Sequence, residues 1–354
     1  MSIPTESIGS IPRPPQLLEA LSEYSAGRLS ITQLNNCYDE ALRDTIQKLE
    51  ATGSPIISDG EQSKSSFATY ALHGLDNLDN DGVVINFADG HSRQLPKLTA
   101  GPFKYAINAG SYLKAAKRFT SLPLKQAVIS ASALSLIYPQ AGIDGYPQEK
   151  FIQDLILGTV ADIRSCLDQG AHCVQIDFTE ARLALKLDPS GQLLNQFITL
   201  NNQVLSHFTA IERQQIGIHS CPGGDHDSTH SADVDYAGLL PSLFQLNAGN
   251  FYLQLASEPE PETVLANIKA HKRSDQRVFI GVIDVLNSDV ESPELVRDRV
   301  LQAAEFIPLN ALGTTDDCGF SPFADDESTA RETAFEKIKA RVIGTKLAAE
   351  KLKL

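Results

Sequence analysis

Short apolar runs alternate with longer helical segments along almost the whole chain, and this rhythm constrains the fold more than any single motif. Strand-like runs lie near residues 6, 56, 127, 176, 217, 253, 280 and 312. Helical periodicity fills 15–24, 30–51, 109–120, 149–169, 193–212, 236–246, 260–270, 293–306 and 328–352. A helix after each strand carries the chain back to the starting end, so successive strands run parallel. Eight such units in 354 residues predict an α/β fold, a (β/α)8 TIM barrel with insertions. A doubly wound open sheet is the runner-up, because one sequence does not state the strand order. No glycine-rich nucleotide fingerprint supports it. Polar and glycine clusters break the rhythm at about 63–106, where we expect an excursion with short strands near 83–87 and 98–100. With no repeat and no low-complexity linker, residues 1–354 are expected to form a single domain.

The formal net charge of -14 argues against nucleic acid as a partner, since phosphate binding calls for basic patches. No apolar run approaches the length of a membrane span, and Met1 to Pro12 has neither the basic lead nor the apolar core of a secretory signal. A cytoplasmic protein without membrane contact is expected. Five widely spaced cysteines do not suggest a disulfide framework. Cys37, Cys166 and Cys173 sit in helical or apolar runs and are expected to be buried hydrophobes. Cys221 and Cys318 differ, because each follows a strand-like run.

In a barrel, the chemistry collects at the C-terminal ends of the strands. Those ends carry Ser10, Asp59 with Glu61, Ser130 with Ser132, Asp177 with Glu180, His219 with Cys221, Gln254 with Ser257, Asp284, and Asp317 with Cys318. Residues two apart on a strand face the same way, so His219 and Cys221 can converge on one point. With Cys318 they supply three zinc ligands, and the fourth is water, the substrate or the oxygen of Gln254. Two thiolates and an imidazole leave zinc soft and nearly neutral, which suits capture of a thiol better than hydrolysis. A free thiol is mostly protonated at neutral pH, whereas zinc coordination deprotonates it. Asp59, Glu61 and Asp177 would hold an ammonium group, and Ile8, Ser10 and the backbone around them a carboxylate. The set fits an amino-acid thiol. The acidic runs Asp316-Asp317 and Asp325-Asp326-Glu327 are expected to cap helices and face water.

The segments Ile8-Gly9-Ser10-Ile11-Pro12-Arg13-Pro14, Asp59-Gly60-Glu61, Gln175-Ile176-Asp177, His219-Ser220-Cys221 and Asp317-Cys318-Gly319-Phe320 resemble, in order, motifs of the cobalamin-independent methionine synthase catalytic domain. The resemblance spans nearly the whole chain. It implies a barrel related to the uroporphyrinogen decarboxylase fold and a catalytic zinc that activates homocysteine, with Ser10, Glu61 and Asp177 among the homocysteine contacts. The family's full-length enzymes carry a second, N-terminal barrel, for which this chain has no room.

Departures from the family pattern concentrate on one half of the reaction. Gln254 stands where the family commonly has a zinc-binding glutamate, with Glu258 nearby as a substitute. Leu286 occupies the place of a histidine thought to protonate the folate, and Tyr138 that of a tryptophan that stacks on it. Asp177-Phe178-Thr179-Glu180 replaces Asp-Glu-Pro, and Ser130-Ala131-Ser132 replaces Gly-Pro. Methyltetrahydrofolate is a poor electrophile until its leaving nitrogen is protonated. His226, His230 or Asp284 would have to supply that proton, alongside Asp177 in the catalytic set. The leading expectation is a zinc-dependent S-methyltransferase acting on homocysteine or a similar thiol, with a donor like 5-methyltetrahydrofolate. One alternative is the same thiolate chemistry aimed at an epoxide or another methyl carrier, including a carrier protein, as in the related epoxyalkane transferases. A second is a non-catalytic barrel that binds a ligand or a partner. A porphyrin decarboxylase is disfavoured, because Arg13 is the only arginine at an early strand end.

Overall fold

A computed structural model describes residues 2–354. Its centre is a six-stranded sheet of β1 (Lys125–Ile129), β2 (Cys173–Asp177), β3 (Ile216–Ser220), β4 (Asn250–Leu253), β5 (Arg277–Gly281) and β6 (Leu312–Thr315). All neighbours are parallel and spatial order follows chain order. A doubly wound sheet reverses its order at a switch point, and no reversal occurs here. The runner-up is thereby excluded. Beyond each edge the pairing continues as a single parallel bridge, Thr5 to Thr314 on one side and Ile57 to Leu124 on the other. These two outlying segments also meet each other. Ser58 Oγ donates to Gly9 O (2.7 Å), and Ile11 N donates to Gly60 O (3.0 Å).

Nearly every strand residue is buried, as expected where helices cover one face and side chains fill the other. The main core lies between strands and helices, while Ile8, Cys173, Tyr252 and Phe279 form a separate cluster. Its layer is made possible by small residues on the neighbouring strands. A side chain on Gly217 would strike the Tyr252 ring, and one on Gly313 the Phe279 ring. The two rings stack at 4.7 Å. The same interior layer buries charge: Tyr252 Oη donates to Glu6 (2.6 Å), with Lys125 Nζ 3.8 Å from that carboxylate.

The helices depart from the expected pattern in specific places. The segment read as one helix over 193–212 is two, Gln192–Leu205 and Ala210–Arg213, because Thr209 and Glu212 form a capping box that starts a new helix. Short helices Ala131–Ser135 and Glu180–Leu187 follow β1 and β2 directly. The first is opened by the Ser130 hydroxyl, which accepts from Ala133 N. In the excursion, Val84–Asn86 pairs with Ser92–Gln94 as a hairpin, and Leu78–Asp79 with Lys97–Leu98. This hairpin docks on the loop after β3, where Ala88 N donates to Thr229 O (3.0 Å) and Asp89 N to Ser228 Oγ (3.2 Å). Cys166 and Cys173 are buried as expected, but Cys37 is only half-buried. Asp316 and Asp317 do not face water: both are buried, and Asp316 lies 2.5 Å from the Arg341 guanidinium. Asp326 is also buried, whereas Asp325 and Glu327 lie outside the core. Among the described residues no helix is long and apolar enough to cross a membrane.

Candidate metal centre and adjoining cavity

His219 is in the last turn of pleat of β3, Cys221 just beyond it, and Cys318 just beyond β6. All three are buried, and one ligand atom from each lies within 4.8 Å of the others. The two sulfurs are 3.1 Å apart without a disulfide. Neither ring nitrogen of His219 meets a hydrogen-bond partner, and nor does Oε1 of Gln254. Buried polar atoms are rarely left unpaired, so this set of nitrogen, sulfur and amide oxygen calls for something that binds them. Such a donor set suits zinc, and the residues present fit the metal that the sequence implies. Burial works to lower the His219 imidazole, but the facing Cys318 and Asp177 more than offset it and raise it. The Cys221 thiol is pushed well up by its hydrogen bond to Cys318 and by burial.

The loops that carry these ligands are tied to one another. Asp317, beside Cys318, accepts from Leu255 N and Ala256 N (both 2.9 Å) through one oxygen, and from Ser257 N (2.8 Å) and Ser257 Oγ (2.7 Å) through the other. Gln254 Nε2 donates to the same Ser257 hydroxyl (2.8 Å), leaving its oxygen free. Glu258 is not available as a substitute ligand, because Arg182 holds it at 2.7 Å. Arg13 is a clasp rather than a ligand contact. Its guanidinium donates to the carbonyls of Ser321 (2.6 Å), Glu61 and Lys64 (both 2.9 Å).

A small cavity of about 30 Å³ adjoins the cluster, lined by Ile8, Ser10, Glu61, Asp177, His219 and Cys318 among others. These include most of the residues expected to hold a thiol substrate. Glu61 sits at a positive φ of 56°, a conformation costly for a residue with a side chain, with its N–H bonded to Asp59 Oδ1 (3.0 Å). One Glu61 oxygen is paired with buried Lys64 at 2.9 Å. Asp59 stands behind, bonded by Gln126 (3.2 Å). Asp177 accepts from Gln175 (2.7 Å), and burial pushes it up to about 6. The Ser10 hydroxyl accepts from Ser321 N (3.2 Å).

A larger cavity of about 230 Å³ shares Phe67, Thr179, Gly223 and Gly224 with the first. The excursion supplies one wall through Ile85, Phe87 and Leu95, and Phe323, Leu136 and Leu183 close others. Three residues expected on the methyl-donor side, Tyr138, Asp284 and His226, reach neither cavity. Tyr138 stacks on Phe151 at 5.1 Å and donates to Tyr146 O. Asp284 accepts from Leu286 N (3.0 Å), and its own N–H is bonded to Glu291 (2.8 Å). Leu286 itself is exposed. His226 is on the rim, 3.1 Å from Arg93. It forms a group with Asp225 and Asp326 of metal-binding geometry, but Arg93 already neutralises Asp225 there through two hydrogen bonds. His230 does line the larger cavity, yet burial and the nearby Lys186 and Arg182 depress it to about 4, so it is neutral at physiological pH.

Sequence reasoning placed Glu180 at a strand end but gave it no role. It is buried in the first turn of its helix and lines the larger cavity. Ser130 and Ser132 both donate to its Oε1, Asn201 backs Ser132 at 2.7 Å, and Oε2 has no partner. The available signal was the serine pair two apart at the end of β1, on the strand beside β2.

Comparison with known proteins gives the family and the fold. The family model described as "Cobalamin-independent synthase, Catalytic domain" matches residues 3–337. A methionine synthase of Sulfurisphaera tokodaii is 24% identical over 359 residues, covering 99% of this chain and 94% of the relative. A B12-independent methionine synthase from Shewanella, solved in complex with selenomethionine, superimposes with a TM-score of 0.78 at 20% identity, covering 100% of this chain and 99% of that one. A putative B12-independent methionine synthase from Listeria monocytogenes gives 0.72 at 21% identity and 98% coverage of both.

Proposed function

The chain belongs to the family of cobalamin-independent synthase catalytic domains, and from that membership we propose that it is a zinc-dependent S-methyltransferase acting on homocysteine or a similar small thiol. One observation carries the reading: three buried metal-ligand side chains converge, with the imidazole otherwise unpartnered. His219, Cys221 and Cys318 would hold the ion, with Gln254 Oε1 as the neutral fourth donor. When bound, zinc supplies the acidity that keeps a substrate thiol ionised at neutral pH. Asp177 and the free oxygen of Glu61 bind the ammonium of an amino-acid thiol. Ser10 keeps its own proton to donate to the carboxylate, since it only accepts from Ser321 N. The apolar walls of the larger cavity exclude water from the sulfur and seat the methyl donor, of the 5-methyltetrahydrofolate type. Structurally, we read the bridged segments at Thr5 and Ile57 as the first two strands of an eight-stranded barrel, with residues 1–354 acting as one zinc-binding unit.

Elemental analysis of the purified protein tests this, alongside Cys221→Ser and Cys318→Ser. We expect one zinc per chain in the wild type, lost in both variants together with thiol methylation. Full zinc occupancy in Cys318→Ser would overturn the assigned site.

A further inference from the structure

The family's proton-delivering histidine has no counterpart in the cavity, and the candidates expected from sequence fail on position or charge. His226 and Asp284 do not line the cavity, and His230 is neutral at physiological pH. Glu180 remains. We propose that Glu180 is the acid that protonates the leaving nitrogen of an N-methyl amine donor whose methyl-bearing head is seated in the 230 Å³ cavity, an assignment that rests on the thiol-methyltransferase reading above.

The hydrogen-bond pattern defines which oxygen carries the proton. Ser130 and Ser132 donate to Oε1, so Oε1 acts as the carbonyl oxygen and the unpartnered Oε2 is the hydroxyl of the neutral acid. Burial supports the neutral form and pushes Glu180 up to about 7, against the pull of the two serines. The donor class follows from the walls. Phe67, Phe87 and Phe323 with Ile85, Leu95 and Leu183 offer an apolar, partly aromatic enclosure. At 230 Å³ it falls below the roughly 300–1,000 Å³ that encloses a whole drug-sized ligand, so it takes the methyl-bearing head and leaves the rest outside.

The step balances. The substrate sulfur, as thiolate, forms a bond to the methyl carbon as the carbon–nitrogen bond breaks, and that electron pair stays on nitrogen. Nitrogen takes the Oε2 proton and Glu180 becomes a carboxylate. The proton released when the next thiol ionises restores it, so thiol plus N-methyl amine gives thioether plus secondary amine.

Glu180→Gln is the variant of choice, because its amide oxygen keeps both serine bonds and its volume is unchanged. Two donors are compared with homocysteine as acceptor. The first is 5-methyltetrahydrofolate, whose nitrogen needs a proton. The second is trimethylsulfonium, whose dimethyl sulfide leaves without one. Glu180→Gln should slow the first reaction by about a hundredfold or more and leave the second within about twofold, with zinc content unchanged. The wild-type rate with the first donor should fall as pH rises through the Glu180 range, and Glu180→Asp should retain that descending limb. Equal loss with both donors would reduce Glu180 to a positioning or structural role, and no loss with either would remove it from the mechanism. A wild type that uses trimethylsulfonium but not the N-methyl amine would overturn the donor class. Failure of the wild type with both donors, each compared with the zinc-free form, would instead sink the thiol-methyltransferase reading itself.

Discussion

Replacing Asp317 by asparagine tests whether the loop after β4 is held in place by the residue beside Cys318. The carboxylate accepts four hydrogen bonds, two on each oxygen, from Leu255 N, Ala256 N, Ser257 N and Ser257 Oγ. Burial pushes Asp317 up to about 7 against those bonds, so at about pH 8 the group is ionised and accepts all four. An amide has one acceptor oxygen, so whichever way it is turned, its NH2 faces two donors. Two bonds to a charged acceptor are lost, at about 1.5–3 kcal/mol each, which suggests a destabilisation of about 4 kcal/mol. Unfolding entropy of roughly 2.1 cal/mol/K per residue over 354 residues converts this to a fall in Tm of about 5 °C. Calorimetry with chelator present removes the metal from the comparison. Zinc affinity, read by competition with a chromophoric chelator, should then weaken by about 10–100-fold, because Gln254 and Cys318 lose their shared support. A Tm within about 1 °C of wild type, with unchanged zinc affinity, would refute the idea that Asp317 fixes this loop.

Two further outcomes follow from single groups. Gln254→Glu puts a carboxylate where a neutral amide oxygen now stands, and should tighten zinc about tenfold in the same competition assay, without improving the use of an N-methyl donor; weaker binding would remove Gln254 from the ligand set. Asp162 is fully buried between Tyr70 and Ala109 N, and burial raises it to about 6 against the hydrogen bonds they donate. A carboxyl that is harder to ionise when folded favours the fold at low pH, so stability should fall as pH rises from about 4 to about 6, by about 3 kcal/mol, and level off above. Asp162→Asn should flatten that slope in denaturant titrations across the same range, since the Tyr70 hydroxyl can accept from the amide.

The fold was legible because its signal is local and repeated. Each of the six sheet strands lies where a short apolar run predicted it, since burial on both faces requires such runs. Thr209-Ala210-Ile211-Glu212 carries a capping-box pattern that marks a helix start, and it was overridden by the helical periodicity on either side. The helix Glu180–Leu187 escaped for another reason. It is two turns long, too short for periodicity to stand out, and it is stabilised by packing against later helices. Asp316 and Asp317 were misplaced because a run of acids reads as solvent-facing until its partners are known, and both partners, Arg341 and the Leu255–Ser257 backbone, are distant in sequence.

The two halves of the site differ in the same way. His219 and Cys221 are brought together by strand alternation, and Cys318 by the rule that neighbouring strands of a parallel sheet end on one side, so the three candidate ligands can be read from spacing. The larger cavity has no such code. Its walls come from the excursion, from the glycine turn after Cys221 and from Phe323, segments that meet only because the hairpin docks on the Ser228–Thr229 loop. Chain position therefore misled at Tyr138, which stands at a family position, and at Asp284, which follows a strand end, while their side chains serve Tyr146 and the Leu286 turn. Glu180 inverts the case, being inconspicuous in sequence yet selected by burial and by two serines. Electrostatics gives that selection a reason. A thiolate acceptor adds negative charge beside two cysteines, so an ionised carboxylate in the adjoining wall would oppose its binding. The Glu61 carboxylate is offset by buried Lys64, whereas among the described residues no cation is bonded to Glu180. A carboxyl that enters the reaction neutral and becomes charged only as the thiolate is consumed keeps the local charge constant through the transfer.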